Sequence, residues 1–212
     1  MNRQLNEYLS MLQPIRDPLL LKMKKHAAEH RIPIMEDASM EILLSLIKLK
    51  KPKKIFEIGA AIGYSAIRMA KAYDGCTVIS CEIDKGRLSE AQLFLKESGL
   101  SDRIVLIHGD ALELGGQIKK DAPFDFIFID AAKGQYEKYF KLFAPMLAEH
   151  GVVVSDNVFF RGMVPGIEPL EKKFRTAVKR LRDYNAYLAS HEGFETTFYP
   201  VGDGLAVSIK VN

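Results

Sequence analysis

The distribution of apolar residues changes near residue 50 of the chain. Before that point apolar residues recur at helical spacing, as Met40, Leu43 and Ile47 do. Pro52 then blocks helix continuation, because its ring removes an amide donor and clashes with the preceding turn. The pattern therefore predicts an N-terminal helical part over residues 1–50.

After Pro52, short apolar runs alternate with helical patterns. Five runs rich in β-branched and aromatic residues come first: KIFEIG, TVISCEI, RIVLIHGD, FDFIFID and GVVVSDN. Continuous runs of this kind between helices are typical of a parallel sheet covered on both faces. Two further stretches, ETTFYPV and LAVSIKV, are joined by GDG, which is typical of a tight antiparallel hairpin.

Together these elements predict an α/β fold of the doubly wound, Rossmann-like kind. We expect a seven-stranded sheet with a C-terminal antiparallel hairpin, helices on both faces and extra N-terminal helices. The 212 residues fit a single domain, with the helical part over 1–50 and a Rossmann-like core over 51–212.

Composition narrows the class of protein only slightly. Hydrophobic residues make up 48% and charged residues 27% of the chain, as in an ordinary globular protein. A formal net charge of +3 does not by itself indicate a nucleic-acid-binding protein. The N-terminus is too polar for a signal peptide, and no apolar run is long enough to span a membrane. We therefore expect a cytoplasmic protein without membrane contact.

Each of the five predicted parallel strands ends in an acidic residue: Glu57, Glu82, Asp110, Asp130 and Asp156. In open α/β sheets, ligands bind beyond the carboxyl ends of the strands. Any one of these residues could be a helix cap or a turn residue. Five of them in register favour a binding site.

The first strand-to-helix crossover, FEIGAAIGYS, has the composition of a ligand-binding turn. Gly59 and Gly63 allow the backbone to turn tightly, and Ser65 would face a ligand together with the first helix amides. Glu82 is placed to accept hydrogen bonds from ribose hydroxyls, and Asp110 from an adenine amino group. This set suits an adenosine-containing ligand. NAD is an alternative ligand on these residues alone. A hairpin follows the fifth strand, where a dinucleotide-binding fold has a second mononucleotide-binding unit, and this argues against NAD.

Asp130, Asp156 and Asn157 follow the fourth and fifth predicted strands. If these strands are neighbours, two carboxylates and an amide oxygen meet, and hard oxygen donors suit Mg²⁺ or a similar cation. An Asx turn at SDN is the alternative. Lys133 lies three residues after Asp130 and is either its salt-bridge partner or a proton acceptor.

Several segments resemble the class I S-adenosylmethionine-dependent O-methyltransferases of the metal-dependent catechol and caffeoyl-CoA type. They are EIGAAIGYSAIRMA, CEID, HGDALEL, FDFIFIDAAKGQY, GVVVSDNV and PVGDG. The resemblance runs from about Pro33 to Lys210 and is strongest with the bacterial branch that methylates 5-hydroxyuridine in the tRNA anticodon. One departure is Ala61 in the glycine-rich loop, where alanine is tolerable if the backbone keeps a negative φ.

The resemblance implies a role for each matching residue. Lys133 would be the general base, and the cation would lie between Asp130, Asp156 and Asn157. The cofactor S-adenosylmethionine would contact a larger set, to which we add residues of the first crossover: Met35, Glu57, Gly59, Gly63, Ser65, Glu82, Asp110, Ala111 and Asp130. We expect Tyr64 and Tyr136 to form pocket walls. The N-terminal helices would cap the site or build a dimer, and the family favours a homodimer.

The leading functional hypothesis is conversion of 5-hydroxyuridine to 5-methoxyuridine at the wobble position of tRNA. RNA would need a basic surface, and two stretches, KLKKPKK and EKKFRTAVKRLRDY, together with Arg161 could form one. A solvent-exposed helix face without any RNA contact would account for such charges equally well. A small catechol-like or phenolic acceptor is the alternative, with the VFFRGMV loop as its aromatic pocket. An RNA-binding protein without catalysis and an NAD-dependent dehydrogenase are weaker hypotheses.

Overall fold

The computed structural model describes residues 8, 9 and 11–211. Much of the predicted first helix, NEYLSML, therefore lies outside the described residues. The helices that precede the sheet are α1 (Pro18–His30) and α2 (Asp37–Lys50). Helix α1 begins at Asp17, whose carboxylate accepts the amide of Leu19 at 2.9 Å, as an N-cap residue does.

Seven strands form one sheet, and their bounds follow the predicted runs closely except for β5, which begins at Leu147, four residues before the predicted run GVVVSDN. The strands are β1 (Lys54–Ile58), β2 (Thr77–Glu82), β3 (Ile104–His108), β4 (Phe124–Ile129), β5 (Leu147–Ser155), β6 (Phe194–Tyr199) and β7 (Leu205–Lys210). Their order is β3-β2-β1-β4-β5-β7-β6. The first five strands are parallel, whereas β7 is antiparallel to both β5 and β6. This topology confirms the predicted doubly wound sheet with its C-terminal hairpin.

Helices cover both faces of the sheet, as predicted. Those within the core are α3 (Tyr64–Ala72), α4 (Lys85–Ser98), α5 (Ala111–Ile118), α6 (Tyr136–Phe143) and α7 (Arg175–Ala189). Alternate residues of a strand point to opposite faces, so β4 contributes Phe126 and Phe128 to one core and Ile127 and Ile129 to the other. The first core is completed by α1 to α4 and the second by α5 to α7.

The parallel direction of β1 to β5 brings their carboxyl ends to one edge of the sheet. The loops that follow these strands therefore lie side by side and can form a common site. Among residues 8, 9 and 11–211, none of the helices has the length and apolar character needed to cross a membrane.

Candidate active site

A cavity of about 600 Å³ lies at the carboxyl ends of the parallel strands. Most of the residues predicted from the sequence line it: Met35, Gly59, Glu82, Asp110, Ala111, Asp130, Lys133, Asp156 and Asn157. They come from the segment before α2 and from the ends of β1 to β5. The fold thus brings the predicted metal and base residues, and most of the predicted cofactor residues, into one space.

Glu82, the last residue of β2, organises the loop after β1. Its carboxylate accepts the amide of Ala61 at 2.8 Å and the amide of Asp84 at 2.9 Å. Ala61 has φ +46°, so the condition of a negative φ, under which alanine was considered tolerable, is not met. The left-handed conformation costs an alanine about 1–2 kcal/mol. The hydrogen bond to the buried Glu82 carboxylate helps to offset that cost.

Gly59 is required by a close approach between neighbouring strand ends. Its φ is +101°, and a Cβ built on it would lie 2.1 Å from the carbonyl oxygen of Asp130. A side chain would therefore separate the ends of β1 and β4, which together line the cavity. The absence of a side chain keeps this part of the cavity wall compact.

Glu57 lies behind the cavity, on the face of the sheet that α3 covers. Its carboxylate is fully buried and accepts hydrogen bonds from the hydroxyl groups of Ser65 and Ser80, the latter at 2.5 Å. Burial raises the pKa of Glu57 to about 7, although the two hydroxyl donors act in the opposite direction. Glu57, Gly63 and Ser65 are not among the lining residues, so their contact with a cofactor stays a prediction.

Asp110 begins helix α5. One of its carboxylate oxygens accepts the amide of Leu112 at 2.9 Å, as an N-cap residue does. The same side chain lines the cavity. Asp110 therefore caps a helix, which was the alternative interpretation of an acidic strand end. It also lies in the predicted adenine site.

Lys133 and two acidic residues form the charged end of the cavity. The Nζ of Lys133 lies 3.0 Å from Oδ1 of Asp130, and the side chains of both residues are largely shielded from solvent. Asp156 is buried and accepts the amide of Asn157 at 2.7 Å. Burial, together with the nearby charge of Asp130, raises the pKa of Asp156 well above its usual range, while Lys133 opposes the rise. Lys133 thus pairs with Asp130, and its charge also acts on Asp156.

The chemistry of this end fits a divalent cation. Asp130 and Asp156 follow the neighbouring strands β4 and β5, and both line the cavity with Asn157. No group of three or more His, Cys, Asp or Glu side chains suited to a metal occurs within residues 8, 9 and 11–211. The predicted set has two carboxylates and one amide, all hard oxygen donors. A cation would stabilise the charged form of the buried Asp156, and its presence stays a prediction.

Some of the lining residues were not identified from the sequence. They are Arg87 on α4, Gln135 and Tyr139, the last two separated by one helical turn. The expected pocket walls Tyr64 and Tyr136 are instead buried in the two cores and do not line this cavity. The spacing of Gln135 and Tyr139 on one face was the signal that could have identified them.

The loop after β5 forms an aromatic surface beside Asn157. The guanidinium of Arg161 lies 5.8 Å from the ring centre of Phe160 and 5.3 Å from that of Phe174. The two rings are perpendicular, with centres 5.1 Å apart. The backbone amide of Arg161 donates to Asp203 at 3.1 Å, which ties the loop to the β6–β7 turn.

A second cavity of about 790 Å³ is lined by this loop and by the β6–β7 turn. Its walls are mainly apolar, with three acidic residues and one arginine. The residues that matter for its character are Phe159, Arg161, Met163, Ile167, Glu168 and Asp203. It therefore provides space for an apolar group next to the aromatic surface.

Known proteins match this fold and this sequence over nearly the whole chain. The sequence profile described as O-methyltransferase matches residues 11–211. A catechol O-methyltransferase from Niastella koreensis is 31% identical, with 99% of each chain covered. The chain belongs to the O-methyltransferase family.

Solved structures agree with this assignment. A structure from Staphylococcus aureus has a TM-score of 0.91 and 33% identity, covering 97% of this chain and 99% of that one. An O-methyltransferase from Bacillus cereus in complex with SAH has a TM-score of 0.86 and 25% identity, covering 98% and 97%.

Proposed function

We propose that the protein is an S-adenosylmethionine-dependent O-methyltransferase that methylates 5-hydroxyuridine at the wobble position of tRNA. The observation that carries the proposal is the amine of Lys133 held 3.0 Å from Asp130, in one cavity with Asp156 and Asn157. A methyl acceptor needs its hydroxyl deprotonated and directed at the methyl group, and this arrangement suits both tasks.

The cofactor would occupy the part of the cavity formed by the ends of β1 to β3. S-adenosylmethionine supplies an activated methyl group bound to a sulfonium. Glu82 is placed to accept hydrogen bonds from the ribose hydroxyls, and Asp110 from the adenine. Gly59 brings the backbone close to the ligand, while Met35 provides an apolar wall. The complex of the Bacillus cereus relative with SAH supports this choice of cofactor.

Lys133 would accept the proton of the acceptor hydroxyl in its neutral form, which a divalent cation bound at Asp130 would favour by repelling the ammonium. Its contact with Asp130 orients the amine toward the cavity, and the 3₁₀ turn Lys133–Gln135 fixes the backbone that carries it. A divalent cation held by Asp130, Asp156 and Asn157 would lower the pKa of the hydroxyl. 5-Hydroxyuridine offers a hydroxyl and a neighbouring carbonyl oxygen, which suits such an oxygen-rich site.

The aromatic surface beside Asn157 supports an RNA acceptor. Bases of single-stranded RNA stack on aromatic rings and on guanidinium planes, which Phe160, Phe174 and Arg161 offer together. The first residue of α7 and the 3₁₀ turn before it add exposed cations: Arg175, Lys172 and Lys173. These cations would contact phosphates of the anticodon loop.

The two basic stretches predicted from the sequence lie in different places. In KLKKPKK, the amide of Lys53 donates to Asp125 at 2.7 Å, and Lys50 donates to the carbonyl of His150 at 2.8 Å. These contacts place that stretch at the opposite edge of the sheet from the cavity. Arg182 of α7 is engaged with the carbonyl oxygen of Val164 at 2.7 Å. The start of α7 and Arg161 therefore carry the RNA proposal.

A small catechol-like or phenolic acceptor is the second candidate. The catechol O-methyltransferase of Niastella koreensis supports it by name and by its full-length match. The apolar cavity of about 790 Å³ beside Arg161 supports it by its size and lining. This acceptor would use the same Lys133 chemistry.

Nucleoside mass spectrometry of tRNA from a strain lacking this gene tests the choice between acceptors. We expect 5-hydroxyuridine to accumulate where 5-methoxyuridine is found in the parent strain. Complementation with the wild-type gene should restore 5-methoxyuridine, whereas a Lys133→Ala gene should not. An unchanged nucleoside profile contradicts the tRNA proposal, and methylation of catechol by the purified protein would then support the second candidate.

A further inference from the structure

An exposed cluster of lysines lies at the edge of the sheet opposite to the main cavity. It combines the stretch KLKKPKK, at the end of α2 and the start of β1, with the segment that follows α5. The Nζ of Lys54 donates to the carbonyl oxygen of Asp121 at 2.9 Å, and the amide of Lys53 donates to the carboxylate of Asp125 at 2.7 Å. The exposed lysines of these two segments form the lysine patch: Lys48, Lys51, Lys53, Lys54, Lys119 and Lys120.

The lysine patch has few counter-charges. None of its lysines forms a salt bridge with a carboxylate within residues 8, 9 and 11–211. Residues 48–54 and 119–125 together hold seven lysines and two aspartates, a formal charge of +5, whereas the whole chain carries +3. Of the other acids near this edge, Asp74 pairs with Arg103 at 3.5 Å and Glu149 is exposed. This edge of the sheet therefore carries a local excess of positive charge.

Local structure explains only part of the patch. Lys48 lies in the last turn of α2 and Lys51 caps that helix, where cations interact favourably with the helix dipole. Lys53 and Lys54 lie beyond the helix, at the start of β1, where this effect has fallen off. Lys51 also has φ +53°, a left-handed conformation in which glycine is usual. The patch thus costs backbone strain and mutual repulsion, and a bound polyanion would offset the repulsion.

The side chains around the lysines favour the phosphate backbone of RNA over an anionic membrane. A basic segment that lies on a membrane surface is usually supported by an apolar face or a lipid anchor. Leu49, which is 82% exposed, is the only exposed large hydrophobic side chain in these two segments, both of which the structure describes. Phosphate contacts need charge alone. The two ends of β1 are about 17 Å apart, less than one turn of a nucleic-acid double helix, so one RNA can reach both edges of the sheet.

We propose that the lysine patch binds the phosphate backbone of helical RNA, as a second contact for an RNA whose loop enters the main cavity. This inference rests on the proposed function, because that function makes RNA the polyanion. The patch adds affinity without reading the sequence, since phosphate contacts carry no base information. The base to be methylated is still selected at the cavity.

Binding of duplex RNA at several salt concentrations tests the proposal without measuring activity. The probe is a fluorescein-labelled RNA duplex of about 16 base pairs, without a loop and without 5-hydroxyuridine. Fluorescence anisotropy would follow its binding from about 50 to 200 mM KCl. The triple variant Lys51→Gln, Lys53→Gln and Lys120→Gln should bind about tenfold more weakly at the lowest salt concentration. The slope of log K against log salt should become shallower by about two to three, since each lost phosphate contact removes about 0.9.

Two further proteins separate the patch from net charge and from stability. A charge-matched variant replaces Lys22, Lys25 and Lys96, which are exposed on α1 and α4, with glutamine. Its affinity for the duplex should change by less than about twofold, because only the charge far from the patch is altered. Lys51→Gly removes one patch charge together with the left-handed strain, so it should weaken binding while its melting temperature equals or exceeds that of the wild type.

The outcomes distinguish this inference from the proposed function. If the wild type does not bind the duplex, or if the triple variant and Lys51→Gly bind it as the wild type does, the lysine patch is not an RNA site. Equal losses in the triple variant and the charge-matched variant would show a net-charge effect and also overturn the inference. Patch-dependent sedimentation with phosphatidylserine vesicles, without duplex binding, would assign the patch to a membrane instead. None of these results changes the nucleoside profile of the deletion strain, which tests the proposed function separately.

Discussion

Replacing Glu57 with glutamine tests whether burial has made this carboxyl a source of pH-dependent stability. Glu57 lies fully buried behind the cavity and accepts hydrogen bonds from Ser65 and Ser80. Burial raises its pKa from 4.5 to about 7. Glutamine has nearly the same shape, can accept from one serine and donate to the other, and does not titrate.

The sign of the effect follows from proton binding. In the unfolded chain the Glu57 carboxyl ionises near pH 4.5, whereas in the folded protein it keeps its proton up to about pH 7. Its contribution to stability is therefore present in full below pH 4.5 and is lost as the pH rises through 7. The full change in the contribution of Glu57 to the free energy of unfolding is roughly 3 kcal/mol, since each pKa unit corresponds to about 1.4 kcal/mol. About 2.5 kcal/mol of it falls between pH 5 and pH 8.

Urea unfolding followed by circular dichroism would measure this difference for the wild type and Glu57→Gln at several pH values from 5 to 8. Subtracting the two free energies of unfolding largely cancels the titration of groups that both proteins share, such as Asp156. We expect the glutamine variant to gain about 2.5 kcal/mol relative to the wild type over this range. A difference that stays constant within about 0.5 kcal/mol would refute the reasoning, because it would report packing alone.

Three more predictions concern the site. Lys133→Ala should bind S-adenosylmethionine as the wild type does, while turnover falls about 10²- to 10⁴-fold through loss of the base; titration calorimetry and single-turnover methylation measure the two effects. Excess EDTA should abolish methylation and added Mg²⁺ should restore it, because two carboxylates and an amide line one cavity. Gly59→Ala should lower the free energy of unfolding by more than about 2 kcal/mol in urea, since its Cβ would lie 2.1 Å from the carbonyl oxygen of Asp130.

Each of these predictions has a control or a contrary result. Lys141→Ala removes an exposed lysine of α6 that pairs with Glu137 at 2.6 Å, and it should change neither binding nor turnover. Undiminished turnover in Lys133→Ala would exclude this lysine as the base. Full activity in excess EDTA would exclude the metal. An unchanged stability of Gly59→Ala would mean that the loop moves away from Asp130 at little cost.

The sheet was largely predictable because strands and helices have different apolar periods. The runs from KIFEIG to LAVSIKV became the seven strands, and GDG marked the end of the hairpin turn. The conformation of Ala61 was not predictable in the same way. Its left-handed φ goes with a hydrogen bond to Glu82, a residue of another strand, and no local pattern shows that partner.

The site was predictable wherever residues directly follow a strand. Asp130 and Asp156 are in the cavity because the carboxyl ends of β4 and β5 meet at one edge. Glu57 is a predicted strand-end residue that does not line the cavity. It stands one residue before the end of β1, so the pleat turns its side chain under the loop toward Ser65.

The sequence by itself determined the order of elements and the set of acidic strand ends, because apolar period and chain direction are local properties. Only the tertiary structure decided which of those acids face the cavity, and that Gln135 and Tyr139 complete its wall. The reason is geometric. Whether a side chain reaches a ligand depends on the pleat of its strand, or the turn of its helix, relative to neighbours that are distant along the chain.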